Sequence, residues 1–390
     1  MAGLLFVLAD RLYVREHAEL SIQSQLNLRF AARPLESALT RYPRLHPPFY
    51  PLILWAAARS AVPLERVNEL LLFALLIGAC VFFRRQLPDI HYLVPLIGFT
   101  VAHPLYVNLH QITAEAVFAP LLLALVAVFA RYLRTGTGRT LVATAIVLSL
   151  LCLSRYFAVL FAFPLVLANL LALSPVPRAR RLLHATWVPI VAGVPIGGWM
   201  VMTRLQTGYW TGTDRSAPRS LPESVQHWSQ LTTFGANLRL TAKTLFLDFF
   251  SPWAYAAHSV VTRPYELSAV EWATLALLVA CAAVVIALWR SPAQWAPVSP
   301  FVLAAQFLGV YLAMTIVLWT VGNNDPIYTR FLFPAYPLVG VVVFRAYAGL
   351  KARARSGWPL LPFRLLFAQY LVVQLVRGWR AEALPVRYFY

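Results

Sequence analysis

Long apolar blocks separated by short basic clusters set the pattern of this chain, and they predict its helices directly. Membrane-crossing helices are expected near 67–83, 92–110, 115–131, 140–154, 156–173, 185–203, 271–289, 299–319 and 331–345, with a further one near 359–376 and a shortened first helix at 1–9. A bilayer core of ~30 Å takes about 20 helical residues, which these blocks approach or reach. The fold class that follows is all-α: a polytopic transmembrane helical bundle of about 10–11 spans, forming a single transmembrane domain over 1–376 with a C-terminal tail at 377–390.

Two stretches between blocks are long, 10–66 and 204–270. The first contains FYPLILWAAARSAV (49–62), apolar but too short to cross, and reads as a helix lying in the membrane surface. The second has a polar portion from Thr211 to Ser229 and then KTLFLDFFSPWAYAA, a second surface-helix candidate with aromatic anchors. Gly193 and Gly197 form a small-xxx-small pair suited to helix packing, and the GTG at 136–138 is a turn between spans.

Composition agrees with lipid as the solvent. The 390 residues are 60% hydrophobic and only 12% charged, against about 25% charged in a soluble domain. The formal net charge of +18 does not point to nucleic acid, because the basic residues fall between apolar blocks as in cytoplasmic loops. Arg84–Arg85, then Arg131, Arg134 and Arg139, then Arg178, Arg180 and Arg181, then Arg290, then Arg345, Lys351, Arg353 and Arg355 recur every two spans, so one face is consistently basic and is assigned to the cytoplasm. Almost all acids fall on the opposite face, with Asp89 the clear exception, while Arg377, Arg380 and Arg387 break the pattern if 359–376 spans. Cys80, Cys152 and Cys281 lie within apolar blocks, far apart, with no metal spacing or disulfide framework.

Candidate chemistry gathers at the acidic face. Glu115 opens an apolar block in HQITAEAVFAPLLLALV; it reads either as a carboxylate lining an outer cavity or as a first-turn acid behind a Thr113 cap. Asp10, Glu16 and Glu19 lie in the first outer loop, and one of them with Glu115 would make a carboxylate pair suited to deprotonating a hydroxyl. Arg44 and His46 precede a double proline that stiffens the start of the surface helix and can hold an anionic headgroup or anchor the interface. Arg330, in GNNDPIYTRFLFPAYPL, and Arg155, in CLSRYFAVLF, are arginines on the face where arginine is sparse; they suit a lipid phosphate or a partner acid such as Asp325. His103, His110 and Glu115 have roughly helical spacing that a divalent cation could use, but no HxxxH pair supports a metal and no cofactor motif is present.

In order, the acidic first loop, HPPFYPLIL, LERVNELLLFALLIGACVFFRRQ, ITAEAVFAPLLLALVAVFARYLR, SRYFAVLFAFPL and YTRFLFPAYPLVG resemble the C-type membrane glycosyltransferases, the superfamily of protein O-mannosyltransferases, lipid A aminoarabinose transferases and oligosaccharyltransferases. The resemblance covers roughly 10–350. It implies a polyprenyl-phosphate-linked sugar as donor, a lipid, glycan or protein acceptor, and an active site facing outward from the plasma (inner) membrane. It also implies a first-loop acid as base, a place Glu16 or Asp10 takes here, with Glu115 as second acid, His46 at the basic position before the double proline and Arg330 at the late arginine. A donor phosphate needs fixed cations, for which Arg330, Arg155 and His46 are the candidates. Two rival readings remain at this stage. One is a transporter or lipid flippase, which would favour inverted repeats and midplane charges; the other is a relative that binds a polyprenyl lipid without catalysis.

The sidedness is testable by labelling with a membrane-impermeant thiol reagent. A cysteine at Ser220 should react from outside intact cells, and one at Arg180 only after permeabilisation; the reverse pattern would overturn the topology.

Overall fold

The computed structural model describes residues 29–33, 47–60, 62, 64–86, 114–210, 231–250, 268–288, 300–322, 332–354 and 357–381. The expected helices at 1–9 and 92–110 lie outside the described residues, as do Asp10, Glu16, Glu19, Arg44, His46, His103, His110 and Arg330. The chain is an all-α polytopic membrane protein, and no strand occurs among the described residues. In order the helices are α1 (Phe49–Arg59), α2 (Leu64–Gln86), α3 (Glu115–Thr135), α4 (Gly138–Ser154), α5 (Phe157–Leu173), α6 (Arg178–Thr207), α7 (Leu231–Phe250), α8 (Ala269–Leu288), α9 (Pro300–Gly322), α10 (Tyr336–Arg353) and α11 (Leu361–Ala381). Among the described residues, four are long and apolar enough to cross a membrane: α3, α6, the 301–318 part of α9, and 358–376 including most of α11.

α3 is the central strut. Of its apolar window 67% is buried, against 28% in α6 and 17% in the window of α11. Phe118, Leu122, Leu125, Val126 and Phe129 are fully enclosed in the main core, where α3 meets α2, α4, α5 and α9. Lipid cannot satisfy backbone groups, so each helix closes its own hydrogen bonds and the packing is left to side-chain shape. A ring cluster supplies much of that shape: Tyr311 of α9 sits edge-on to Phe157 and Phe161 of α5, at centroid distances of 5.0 and 5.2 Å, and touches Phe118 of α3.

The turns reveal which helix ends lie together. α3 ends at Gly136, whose φ of +64° is the left-handed cap that L side chains resist. A Cβ built there would stand 3.1 Å from Pro175 and 3.2 Å from Val176, so the α3–α4 and α5–α6 turns abut. A buried polar contact joins them further: the Tyr132 hydroxyl meets Ser174 Oγ and His184 Nδ1, each at 2.7 Å. This is the basic end of the bundle, with Arg131, Arg134, Arg139, Arg178 and Arg180 all exposed. Exposed tryptophans stand toward both ends, Trp187 and Trp358 near the basic one and Trp210 and Trp272 near the other, as aromatic belts do.

Several sequence expectations need correcting. The span expected at 185–203 is part of a 30-residue helix, α6. The surface helix expected from Lys243 begins twelve residues earlier, at Leu231, and packs on α9 and α11. Its aromatic face is turned into the protein: Phe249 lies 4.9 Å from the Tyr336 ring, and its carbonyl accepts a 3.0 Å bond from the buried Gln374 amide of α11. The further span expected near 359–376 is present as a helix long and apolar enough to cross, and it meets α10 through Tyr347–Phe363 and Phe344–Phe367. Of the glycine pair, only Gly193 abuts a neighbour, Phe163, while Gly197 faces open space.

Gly136→Ala should lower stability by roughly 1–2 kcal/mol, the cost of a left-handed L residue, with more from the crowding at Pro175. Unfolding in detergent micelles measures it; an unchanged midpoint would mean the turn relaxes freely.

Candidate functional site

At the end opposite the arginine turns, the start of α3 meets the end of α4. α4 stops at Ser154, and Arg155 breaks the helix with extended backbone, φ −152° and ψ 131°. That break aims the guanidinium sideways at Glu115, and Arg155 Nη2 donates to Glu115 Oε1. Glu115 is fully buried and the Arg155 side chain is 14% exposed. Glu115 stands in the first turn of α3 as its position in the sequence suggests, but the N-cap is Ala114 and not Thr113, no described side chain caps the helix, and the acid is held by an arginine forty residues on. A charge at membrane depth costs several kcal/mol unless paired, so each member of this pair requires the other. Among the described residues the Arg155 Nε–H finds no hydrogen-bond partner.

The pair is flanked on four sides. From α1 and α2, a small cluster of Tyr50, Leu54 and Val67 packs against Ala114 and Val117 at the start of α3. The Tyr50 hydroxyl donates to Asn68 Oδ1 at 2.6 Å, both groups buried. Burial pushes the Tyr50 phenol well above its ordinary range, the Asn68 bond opposes this, and the nearby Glu115 carboxylate adds to it. Tyr50 therefore remains a donor at any physiological pH. Arg59 fixes the far end of α1, lying 4.0 Å over the Trp55 ring and donating to the Ala31 and Arg33 carbonyls.

The third side is the α5–α6 pair, where Trp199 Nε1 donates to the Tyr156 hydroxyl at 2.9 Å, one residue after Arg155. The fourth is α9, whose Tyr311 ring stands edge-on to Phe157, two residues after Arg155, with the turn Phe333–Ala335 packed against α3 and α9. Leu332, Ala335 and Leu338 there are fully buried. α8 also starts at this end, capped by its own Glu271, which accepts from Ser268 N and Oγ at 2.7 Å each.

Of the residues singled out from the sequence, the structure brings together Glu115 and Arg155; Asp10, Glu16, His46 and Arg330 lie outside the described residues. Among the described residues, no group of three His, Cys, Asp or Glu is arranged to hold a metal. Tyr50, Asn68, Tyr156 and Trp199 were not singled out; a Tyr or Trp within an apolar block looks like any core aromatic, and only its bonding partner separates it.

The arrangement is that of a polytopic helical membrane protein carrying a buried ion pair at one end of the bundle. No family model matches the chain, and no curated protein sequence matches it. Among solved structures it is similar to the crystal structure of ArnT from Cupriavidus metallidurans bound to undecaprenyl phosphate, with 14% identity and a TM-score of 0.51, over 98% of this chain and 74% of that chain. The likeness is one of fold, and it extends across nearly the whole chain.

The mutual dependence of the pair is measurable. Glu115→Ala and Arg155→Ala should each cost about 3–5 kcal/mol by stranding the other charge, whereas Glu115→Leu with Arg155→Met should cost less than either. A double variant as damaged as the sum of the two singles would show that the groups act independently.

Proposed function

We propose that this chain is a membrane glycosyltransferase of the GT-C architecture, moving a sugar from a polyprenyl-phosphate donor to an acceptor hydroxyl at the outer face of the plasma membrane. One observation chiefly supports this: the likeness in fold to ArnT, which was crystallised with undecaprenyl phosphate, runs over 98% of this chain. The end of the bundle holding Glu115 and Arg155 is the end opposite the arginine turns, which agrees with an outward-facing site under the positive-inside rule.

The chemistry follows from the donor. The acceptor oxygen attacks C1 of the sugar, the bond from C1 to the phosphate oxygen breaks, and the polyprenyl phosphate leaves with the electron pair. A first-loop carboxylate, Glu16 before Asp10, takes the hydroxyl proton and stabilises the positive charge developing on the sugar. Arg330 and His46 meet the lipid phosphate together with Arg155, whose direction is set by Glu115. The donor carries its own activation, so no nucleotide is required.

The complete burial of Glu115 favours a second reading, a polyprenyl-lipid-binding relative without catalysis, since a carboxylate sealed against Arg155 is not available to a sugar. A transporter or flippase fits less well, because the described ion pair joins the start of α3 to the end of α4 and does not sit in a broken helix.

Purified protein with a polyprenyl-phosphate sugar separates the readings. Glu16→Gln should slow transfer ~10²–10⁴-fold with donor affinity kept, and Arg330→Ala should lose donor binding in a folded protein. Full transfer by both Glu16→Gln and Asp10→Asn would remove the first-loop base. Wild-type protein that binds the lipid phosphate but never transfers would establish the second reading.

A further inference from the structure

The other end of the bundle carries chemistry that sugar transfer does not use. From Ala116 to Thr213 the chain has no Asp or Glu, yet it holds eight arginines, six of them at the two abutting turns. Arg131 and Arg134 close α3 and Arg139 opens α4; Arg178, Arg180 and Arg181 open α6. The contact of Gly136 with Pro175 and Val176 brings these two groups into one patch. Of the six, Arg181 is spent on structure: its Nη1 donates to the Leu171 carbonyl at 3.0 Å and its Nη2 to that of Ser174 at 2.8 Å. Those bonds close the exposed end of α5 and free the remaining arginines from that task. Arg131, Arg139, Arg178 and Arg180 are exposed and make no ion pair among the described residues.

Directly beyond the arginines the surface becomes apolar. Leu171, Leu182, Leu183 and Trp187 are each more than two-fifths exposed. A cationic patch with an aliphatic wall on its membrane side matches one kind of molecule: a phospholipid whose headgroup is anionic and whose tails run along the wall. Two arginine groups on adjoining turns match two phosphates better than one.

We propose that this patch binds an anionic phospholipid, with preference for a diphosphatidyl headgroup of the cardiolipin kind seated across the α3–α4 and α5–α6 turns. Arg131 and Arg139 hold one phosphate, Arg178 and Arg180 the other, and acyl chains lie against Leu182 and Leu183. Nothing in this site depends on the proposed transfer reaction, and the lipid serves to fix the relative position of the two turns.

The test uses the full-length protein in detergent micelles, mixed with cardiolipin, phosphatidylglycerol or phosphatidylcholine, with bound lipid read by native mass spectrometry. Cardiolipin should be retained most and phosphatidylcholine least, and the difference should collapse at 1 M salt. A photoreactive cardiolipin analogue should crosslink to the peptides spanning 131–142 or 171–187 of the unaltered chain. Arg131→Gln with Arg178→Gln should weaken retention about fivefold per arginine, while Arg345→Gln with Lys351→Gln, at the same end but away from the two turns, should leave it unchanged. Equal retention of all three lipids, or crosslinks falling elsewhere, would overturn the proposal whether or not the arginine variants fold.

Discussion

The ion pair between Glu115 and Arg155 is the constraint to which the surrounding structure answers. A fully buried carboxylate at the start of α3 is tolerable only beside a cation. The cation comes from the residue at which α4 gives up its helix. That requirement fixes the ends of α3 and α4 against one another, and the short left-handed turn at Gly136 fixes their other ends. With both ends of the hairpin held, α3 can serve as the strut against which α2, α5 and α9 pack.

The sequence made the periodic part of this architecture legible. Apolar blocks and arginine spacing located α1 to α5, α8 and α9 within a few residues, because lipid imposes one rule on all of them, while α6, α10 and α11 run five or more residues past the expected bounds. The places that departed from expectation are those where local pattern is silent. FYPLILWAAAR was recognisable as a helix too short to span, and it is one. The helix Leu231–Phe250 was not recognisable over its first half, since LTTFGANLRLTA carries polar residues that a membrane pattern rejects and only contact with α9 and α11 explains. Glu115 and Arg155 were each conspicuous as charges out of place, but their partnership crosses forty residues and no spacing rule encodes it. The partner acid suggested for Arg155 was of the right kind and came from a different loop.

The two ends of the bundle solve opposite electrostatic problems. At one end charge is taken inside and neutralised by pairing, sheltered by the Tyr50–Asn68 and Tyr156–Trp199 bonds. At the other it is left outside at Arg131, Arg139, Arg178 and Arg180, which make no ion pair among the described residues, beside a buried contact of Tyr132 with Ser174 and His184. The same Arg-rich composition thus supports an enclosed site and an open surface, and the distinction is made by helix breaks and not by residue type.

Helix length adds a consequence of its own. α4 and α5 have 17 residues each, or about 26 Å of helix, while α6 has 30, or about 45 Å. A bilayer core of ~30 Å is too thick for the first two and too thin for the third. α6 must lean or protrude, and the α4–α5 hairpin is matched by thinner lipid or by flanking side chains reaching the interface. The guanidinium of Arg155 stands at the end of a helix shorter than the bilayer core is thick. Wherever lipid thins to meet that hairpin, a headgroup comes nearer the ion pair without leaving its leaflet.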